Sequence, residues 1–239
     1  MILITRPKFE ALALEEKLRQ LGIVSHVDPI ISFSEVDNLF LKEYDQNFVC
    51  IFSSIRAVQF IERKYKNFIN LFKKAKIVCI GEKVQLELNN KSLNVLETFS
   101  DANDLVDNFK FNKFNEDIFC YFSGETFNRD FVNRIKKKVN KFELVNVYKT
   151  IAASDFNQTT KELIKSCKIN GYMVYSKFSA KILIQILEKN ALLDLALQQK
   201  VFCLSESIQS IMYQNGFKNL YSAISPNEAS LLNVVKKAH

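Results

Sequence analysis

The chain has 239 residues, 48% hydrophobic and 25% charged, with a formal net charge of +7. That balance describes a globular chain long enough for one large domain or two ordinary ones, and it excludes a disordered or low-complexity protein. No apolar run nears the roughly 18 residues of a membrane span, and no zinc-finger spacing, RNA-recognition sequence or basic tail is present. The longest like-charged run, Lys136-Lys137-Lys138, reads as a solvated helix face.

In chain order, Ile2–Ile4 is strand-like and Thr5-Arg6-Pro7 a turn. The start turns polar too soon for a signal segment, so it reads as a first strand. Leu12, Leu14, Leu18 and Leu21 mark an amphipathic helix that stops at Gly22. A strand at 23–28 follows, and Pro29 introduces an extended piece to Val36. The short apolar run Phe48–Phe52 ends in Ser53-Ser54, and helical spacing starts at once with Ile55, Val58 and Ile61. Further on come a strand at 76–80 ended by Gly81, a helix over about 82–88, a short strand at 93–96 and a helix after Ser100.

The order then repeats. Ile118–Phe122 is a strand ending in Ser123-Gly124-Glu125, followed by a Lys- and Arg-rich helix to about Asn140, a strand at 142–147 and the extended 148–152. Tyr172–Ala180 echoes Val49–Ala57, and Lys200–Ser205 echoes Lys76–Gly81. Ser225-Pro226-Asn227-Glu228 carries the serine, proline and glutamate of a helix start, matching Ser100. The chain is therefore a tandem duplication of about 120 residues. Alternating strands and helices call for parallel sheets with helices on both faces. One domain per repeat is the simplest division. Against it stand the missing linker near residue 117 and the extended segments at 29–36 and 146–153. As paired crossings, these make a discontinuous lobe of 1–33 with 151–239, a second lobe of 34–150, and a cleft between them.

The five cysteines form no C-x-x-C. Cys50, Cys79, Cys120 and Cys203 lie in apolar runs and read as small buried strand residues of a reducing compartment. With only His26 and His239, Ser-His-Asp or Cys-His chemistry has almost no material. Neither Gly-rich nucleotide motif occurs. A basic surface and strand-to-helix turns at a sheet edge favour an anionic ligand.

Ile2-Leu-Ile-Thr-Arg-Pro7, Phe52-Ser-Ser-x-x-Ala-Val58, Val78-Cys-Ile-Gly81, Val147-Tyr-Lys-Thr150 and the Ser-Pro-x-x-x-x-Leu-Leu at 225–232 resemble the uroporphyrinogen-III synthase family, in order and over the full length. The resemblance implies two flavodoxin-like α/β lobes joined by a two-stranded β-ladder. It implies a cytoplasmic, monomeric, cofactor-free and metal-free lyase. That enzyme dehydrates and closes hydroxymethylbilane, a linear tetrapyrrole with eight carboxylates, and inverts the last pyrrole ring by way of a spiro intermediate. A transient contact with the preceding pathway enzyme is a further expectation, and nucleic acid and membrane are not expected partners. The alternative is a non-catalytic two-lobed binder of a polyanion or tetrapyrrole.

Tyr148 matches the family's linker tyrosine, a proposed proton donor to the departing hydroxyl; its bland reading is a packing residue of the ladder. Arg6 offers a carboxylate fork or a structural salt bridge. Ser53 and Ser54 stand for the family's Thr-Ser, and serve equally as helix caps. Gly81-Glu82, Ser123-Gly124, Ser176-Lys177 and the turn from Ser205 to Ser207 complete the expected substrate contacts. The chain departs from the pattern at Lys177 (serine in the family), Ser205 (glycine), and Val84 and Ile208 (threonine). Asp101 and Asp104 read as first-turn acids that favour the helix dipole.

Overall fold

A computed structural model describes residues 1–238. The strands, in chain order, are β1 (Ile2–Ile4), β2 (Ser25–Val27), β3 (Ile31–Glu35), β4 (Phe48–Phe52), β5 (Lys76–Ile80), β6 (Val95–Phe99), β7 (Ile118–Gly124), β8 (Lys141–Ala152), β9 (Gly171–Val174), β10 (Lys200–Cys203) and β11 (Leu220–Ser222). They form two sheets in a mixed α/β fold. One has the order β11-β10-β9-β1-β2 and the other β3-β8-β7-β4-β5-β6. The chain divides into two compact units, Met1–Ser32 with the residues from Ile151 onward, and Phe33–Thr150.

The two sheets share one topology. The order β2-β1-β9-β10-β11 corresponds to β8-β7-β4-β5-β6, and the pairings within both series are parallel. Numbered along its own chain, the discontinuous unit has the doubly wound order 2-1-3-4-5 and the continuous unit 3-2-1-4-5, and each order reverses at one switch point. In the discontinuous unit this falls between β1 and β9, and in the continuous unit between β7 and β4. The edge strand β3 is added beside β8.

Parallel strands covered on both faces become unbroken apolar runs, as in β4, all of whose residues are buried. In the continuous unit, alternation sorts side chains to two cores. Cys50, Phe52, Cys79, Cys120 and Phe122 face one side, with Ala57, Val58, Phe60 and Ile61 of the helix Ile55–Lys64. Val49, Ile51, Val78, Phe119 and Tyr121 face the other, with Phe131, Val132 and Ile135. On the first side the Phe52 and Phe122 rings stack at 4.8 Å, and Phe72 meets both edge-on. The other unit buries Ile2, Ile4, Met173 and Phe202 against Ala11, Leu14 and Leu18 of the helix Lys8–Gln20.

The four cysteines read as strand residues are buried, and Cys167 is exposed. Several local expectations shift. Leu12 and Leu21 are exposed, and Ala11 takes the place of Leu12 on the buried stripe. The strand expected at 93–96 runs from Val95 to Phe99. Helix starts move as well. Asp101, not Ser100, accepts from the N–H groups of Asn103 and Asp104, and Asn227, not Ser225, accepts from Ser230 N. The helix after β7 begins only at Arg129, capped by Asn128.

Phe122 is fully buried in the aromatic group. Phe122→Ala is expected to cost about 3–5 kcal/mol, the usual range for a buried phenylalanine, measured as a shift in the urea unfolding transition. A loss under about 1 kcal/mol would mean that the stack is not part of the core.

Candidate functional site

Ligands of doubly wound sheets bind beyond the carboxyl ends of the strands, where helix N-termini leave N–H groups without intrahelical acceptors. In the continuous unit, β4 passes directly into the helix Ile55–Lys64. Ser54 is extended (φ −149°), and its hydroxyl accepts from Arg56 N at 3.2 Å. Ser53 Oγ lies 2.7 Å from the hydroxyl of Tyr121. Tyr121 is buried, and burial raises its pKa above the ordinary phenol value. After β5, Gly81 has φ +91°, with open space where a Cβ would stand. Its role is therefore the left-handed backbone and not close approach. Glu82 is exposed in the first turn of the helix Glu82–Asn90. Val84, in that turn, is buried.

The β7 tip is built differently. Ser123 and Gly124 belong to the strand itself, and no helix starts there. Ser123 is buried and donates to the Gly124 carbonyl at 3.0 Å. Ser123 pairs with Asn146, but Gly124 pairs with Tyr148, so Val147 is an extra residue in β8. Tyr148 is buried. Its ring meets Phe33 edge-on at 5.6 Å and stacks on Phe60 at 5.5 Å. The Arg56 guanidinium lies 3.6 Å over Phe33 and 5.8 Å from the Tyr148 ring centre. Asn146 Oδ1 is buried without a hydrogen-bond partner.

In the discontinuous unit, Arg6 leaves β1 and pairs with Glu228, which also pairs with Lys17. The Arg6 guanidinium lies 4.1 Å over the Tyr175 ring. Ser176 Oγ accepts from Ser179 N, and Ser179 Oγ accepts from Ser176 N, each at 3.0 Å, closing a capping box. Lys177 is exposed at the start of that helix. After β10, Ser205 lies at the N-cap of Glu206–Gln214 without a side-chain cap bond. Its Oγ is 3.1 Å from Ser207 Oγ. Ile208 is buried, like Val84. At both positions the family's hydroxyl is replaced by a core side chain.

Thus Ser53 and Ser54 gather at the switch point of one unit with Tyr121, and Arg6, Ser176 and Lys177 at that of the other. Gly81-Glu82 and Ser205–Ser207 lie one strand further out. Sequence reasoning missed Tyr121, Tyr175 and Asn146, which sit inside strand patterns and look like core. It also missed the exposed Phe9, in the first turn of the helix Lys8–Gln20, and Ile224, two residues past β11. Among the described residues no cluster of three or more His, Cys, Asp or Glu could hold a metal ion, and no helix is long and apolar enough to cross a membrane.

These features define a class: duplicated, doubly wound α/β proteins with strand-to-helix turns at the carboxyl edges of both sheets. Within that class the chain belongs to the uroporphyrinogen-III synthase family, since the family model described as uroporphyrinogen-III synthase HemD matches residues 13–233. The fold is similar to a uroporphyrinogen-III synthetase crystal structure from Helicobacter pylori, with a TM-score of 0.66 at 12% identity, covering 100% of this chain and 99% of the other. It is also similar to a mutant uroporphyrinogen III synthase from Thermus thermophilus, with a TM-score of 0.61 at 11% identity, covering 99% and 97%. No curated protein matches the sequence significantly.

Burial raises the pKa of Glu228, but hydrogen bonds from Lys17 and Arg6 outweigh it, and the net shift is downward. A folded pKa below the unfolded value contributes stability above the ordinary glutamate range, about 4.3, and loses it as pH falls through the folded value. Glu228→Gln is therefore expected to lower the melting midpoint at neutral pH, with the gap to the parent closing towards about pH 3. An equal gap at both pH values would show that these ion pairs do not stabilise the fold.

Proposed function

We propose that this member of a haem-biosynthesis enzyme family is a cofactor-free lyase that closes hydroxymethylbilane to uroporphyrinogen III, working as a monomer in the cytoplasm. The observation that carries the reading is the family match across almost the whole chain. The strand tips support it. Main-chain N–H groups beyond β4, β5, β9 and β10 suit a ligand with many carboxylates. The caps at Ser54 and Ser176 hold two of these turns in place without ligand. Lys177 adds an exposed cation. Arg6 neutralises Glu228, so that this edge does not repel carboxylates. Exposed Phe9 and Ile224 offer apolar surface to pyrrole faces.

The chemistry asks little of side chains. The pyrrole nitrogen pushes electrons towards the hydroxymethyl carbon, the carbon–oxygen bond breaks, and the hydroxyl leaves as water once it receives a proton. Tyr148 is the donor, because a phenol O–H can hydrogen-bond a departing hydroxyl. The substituted carbon of the last ring, already bonded to its neighbouring bridge, attacks the cation to form the spiro intermediate. The old bridge bond then breaks and leaves a second cation, the turned ring closes on it through its unsubstituted carbon, and loss of that carbon's proton restores the pyrrole. The enzyme's larger task is to hold the cation so that the last ring inverts before closure.

The test supplies freshly generated hydroxymethylbilane and separates the product isomers. Isomer III in excess over isomer I is the expected result, and isomer I alone overturns the reading in favour of a non-catalytic binder. Tyr148→Phe is expected to lower turnover about tenfold without abolishing it, less than the usual hundredfold or more for a general acid because the leaving group is already activated. A rate equal to the parent's removes Tyr148 from the reaction.

A further inference from the structure

Strict alternation along β8 would send Tyr148 to the wrong face. Phe142 and Leu144 pack on the core that holds Phe119 and Tyr121. Val145 packs on the opposite core, which holds Phe122. A regular strand would therefore place residue 148 with Phe142 and Leu144, since side chains alternate with period two. The extra residue at Val147 breaks the phase, and both Val147 and Tyr148 join the Phe122 core. Bulges re-aim side chains in this way, often next to active sites.

The re-aimed ring needs room. Gly124 lies beside it, and a Cβ built there would stand 2.5 Å from Cε2 and 2.7 Å from Cζ of Tyr148. Such approaches do not occur between real atoms. The ring has little freedom to retreat, because it is boxed between Phe33 and Phe60. Register is also fixed from the backbone: Glu125 N donates to the Tyr148 carbonyl at 2.9 Å. Gly124 shows no positive φ, so its requirement is steric and not conformational.

We propose that Gly124 and the bulge at Val147 are the positioning elements of the Tyr148 phenol: one turns the side chain to its working face, and the other leaves the space its ring occupies. The proposal rests on the role given to Tyr148 above. On this proposal Gly124 acts through Tyr148, which replaces the direct substrate contact expected of it from the sequence.

The test is a cycle of Gly124→Ala and Tyr148→Phe in the full chain. Gly124→Ala is expected to lower kcat by up to about tenfold, within the range for an ångström-scale misplacement. KM should stay within about twofold, because no binding contact is lost. The share of isomer I should rise. With Phe at 148, Gly124→Ala should cost no further kcat, since the two changes act at one point. A parent-like kcat for Gly124→Ala, or losses that multiply in the double variant, overturns the proposal. Melting supplies a second readout that does not depend on activity. Gly124→Ala should lower the midpoint, and adding Tyr148→Leu should recover most of that loss by removing the overlap. An equal loss with Tyr or Leu at 148 would show that the methyl group does not meet the ring. If the parent makes only isomer I, the functional reading fails while the melting cycle still reports on Gly124.

Discussion

Parallel pairing of strands buried on both faces is the constraint from which the rest follows. A parallel neighbour can be reached only by a crossover, so a helix follows almost every strand, and its N-terminus falls at the sheet's carboxyl edge. Apolar alternation decides which face each side chain fills, and the tips are left to polar turns. Ser53-Ser54, Gly81, Ser176 and Ser205 all stand at such tips. The fold thus collects anion-receptive main chain before any special side chain is placed.

A parallel α/β backbone depends on where apolar residues fall more than on which apolar residues they are. This accounts for a fold shared with solved relatives at 11–12% identity. Three departures from the family pattern fall where the backbone does not depend on them. At Val84 and Ile208 the side chain points into the core, so the turn keeps its N–H groups whether or not a hydroxyl is there. At Ser205 the backbone is extended, with φ −154°. Any residue adopts that conformation, so the family's glycine is not required. Gly81 and Gly124 differ, one needing a left-handed backbone and the other an empty side-chain position.

Much of this was legible in the sequence because buried parallel strands are short apolar runs. Phe48–Phe52 and Lys76–Ile80 stand as strands at the bounds their composition suggests. The repeated strand–turn–helix phrase pointed to the duplicated α/β fold. Helix starts were less legible, because Ser, Asn and Asp all cap, and only the direction of chain entry selects Asp101 over Ser100 or Asn227 over Ser225. Arg6 and Glu228 lie 222 positions apart, and no local pattern could pair them. The bulge was hidden for a sharper reason. One inserted residue alters only the phase, so the pattern of the extended segment gave no sign that Tyr148 changes face.

The pairing of β1 with β9 has a consequence for synthesis. β1 pairs with β2 on one side, but on the other Ile2 is in register with Gly171, so one edge of the first strand must wait for a partner made much later. At translation speeds of about 5–20 residues per second, the delay is roughly ten to thirty seconds. Phe33–Thr150 is contiguous and can close while the ribosome is still working. Until β9 emerges, the fully apolar Ile2-Leu3-Ile4 keeps one edge unpaired, a natural client for chaperones on the nascent chain.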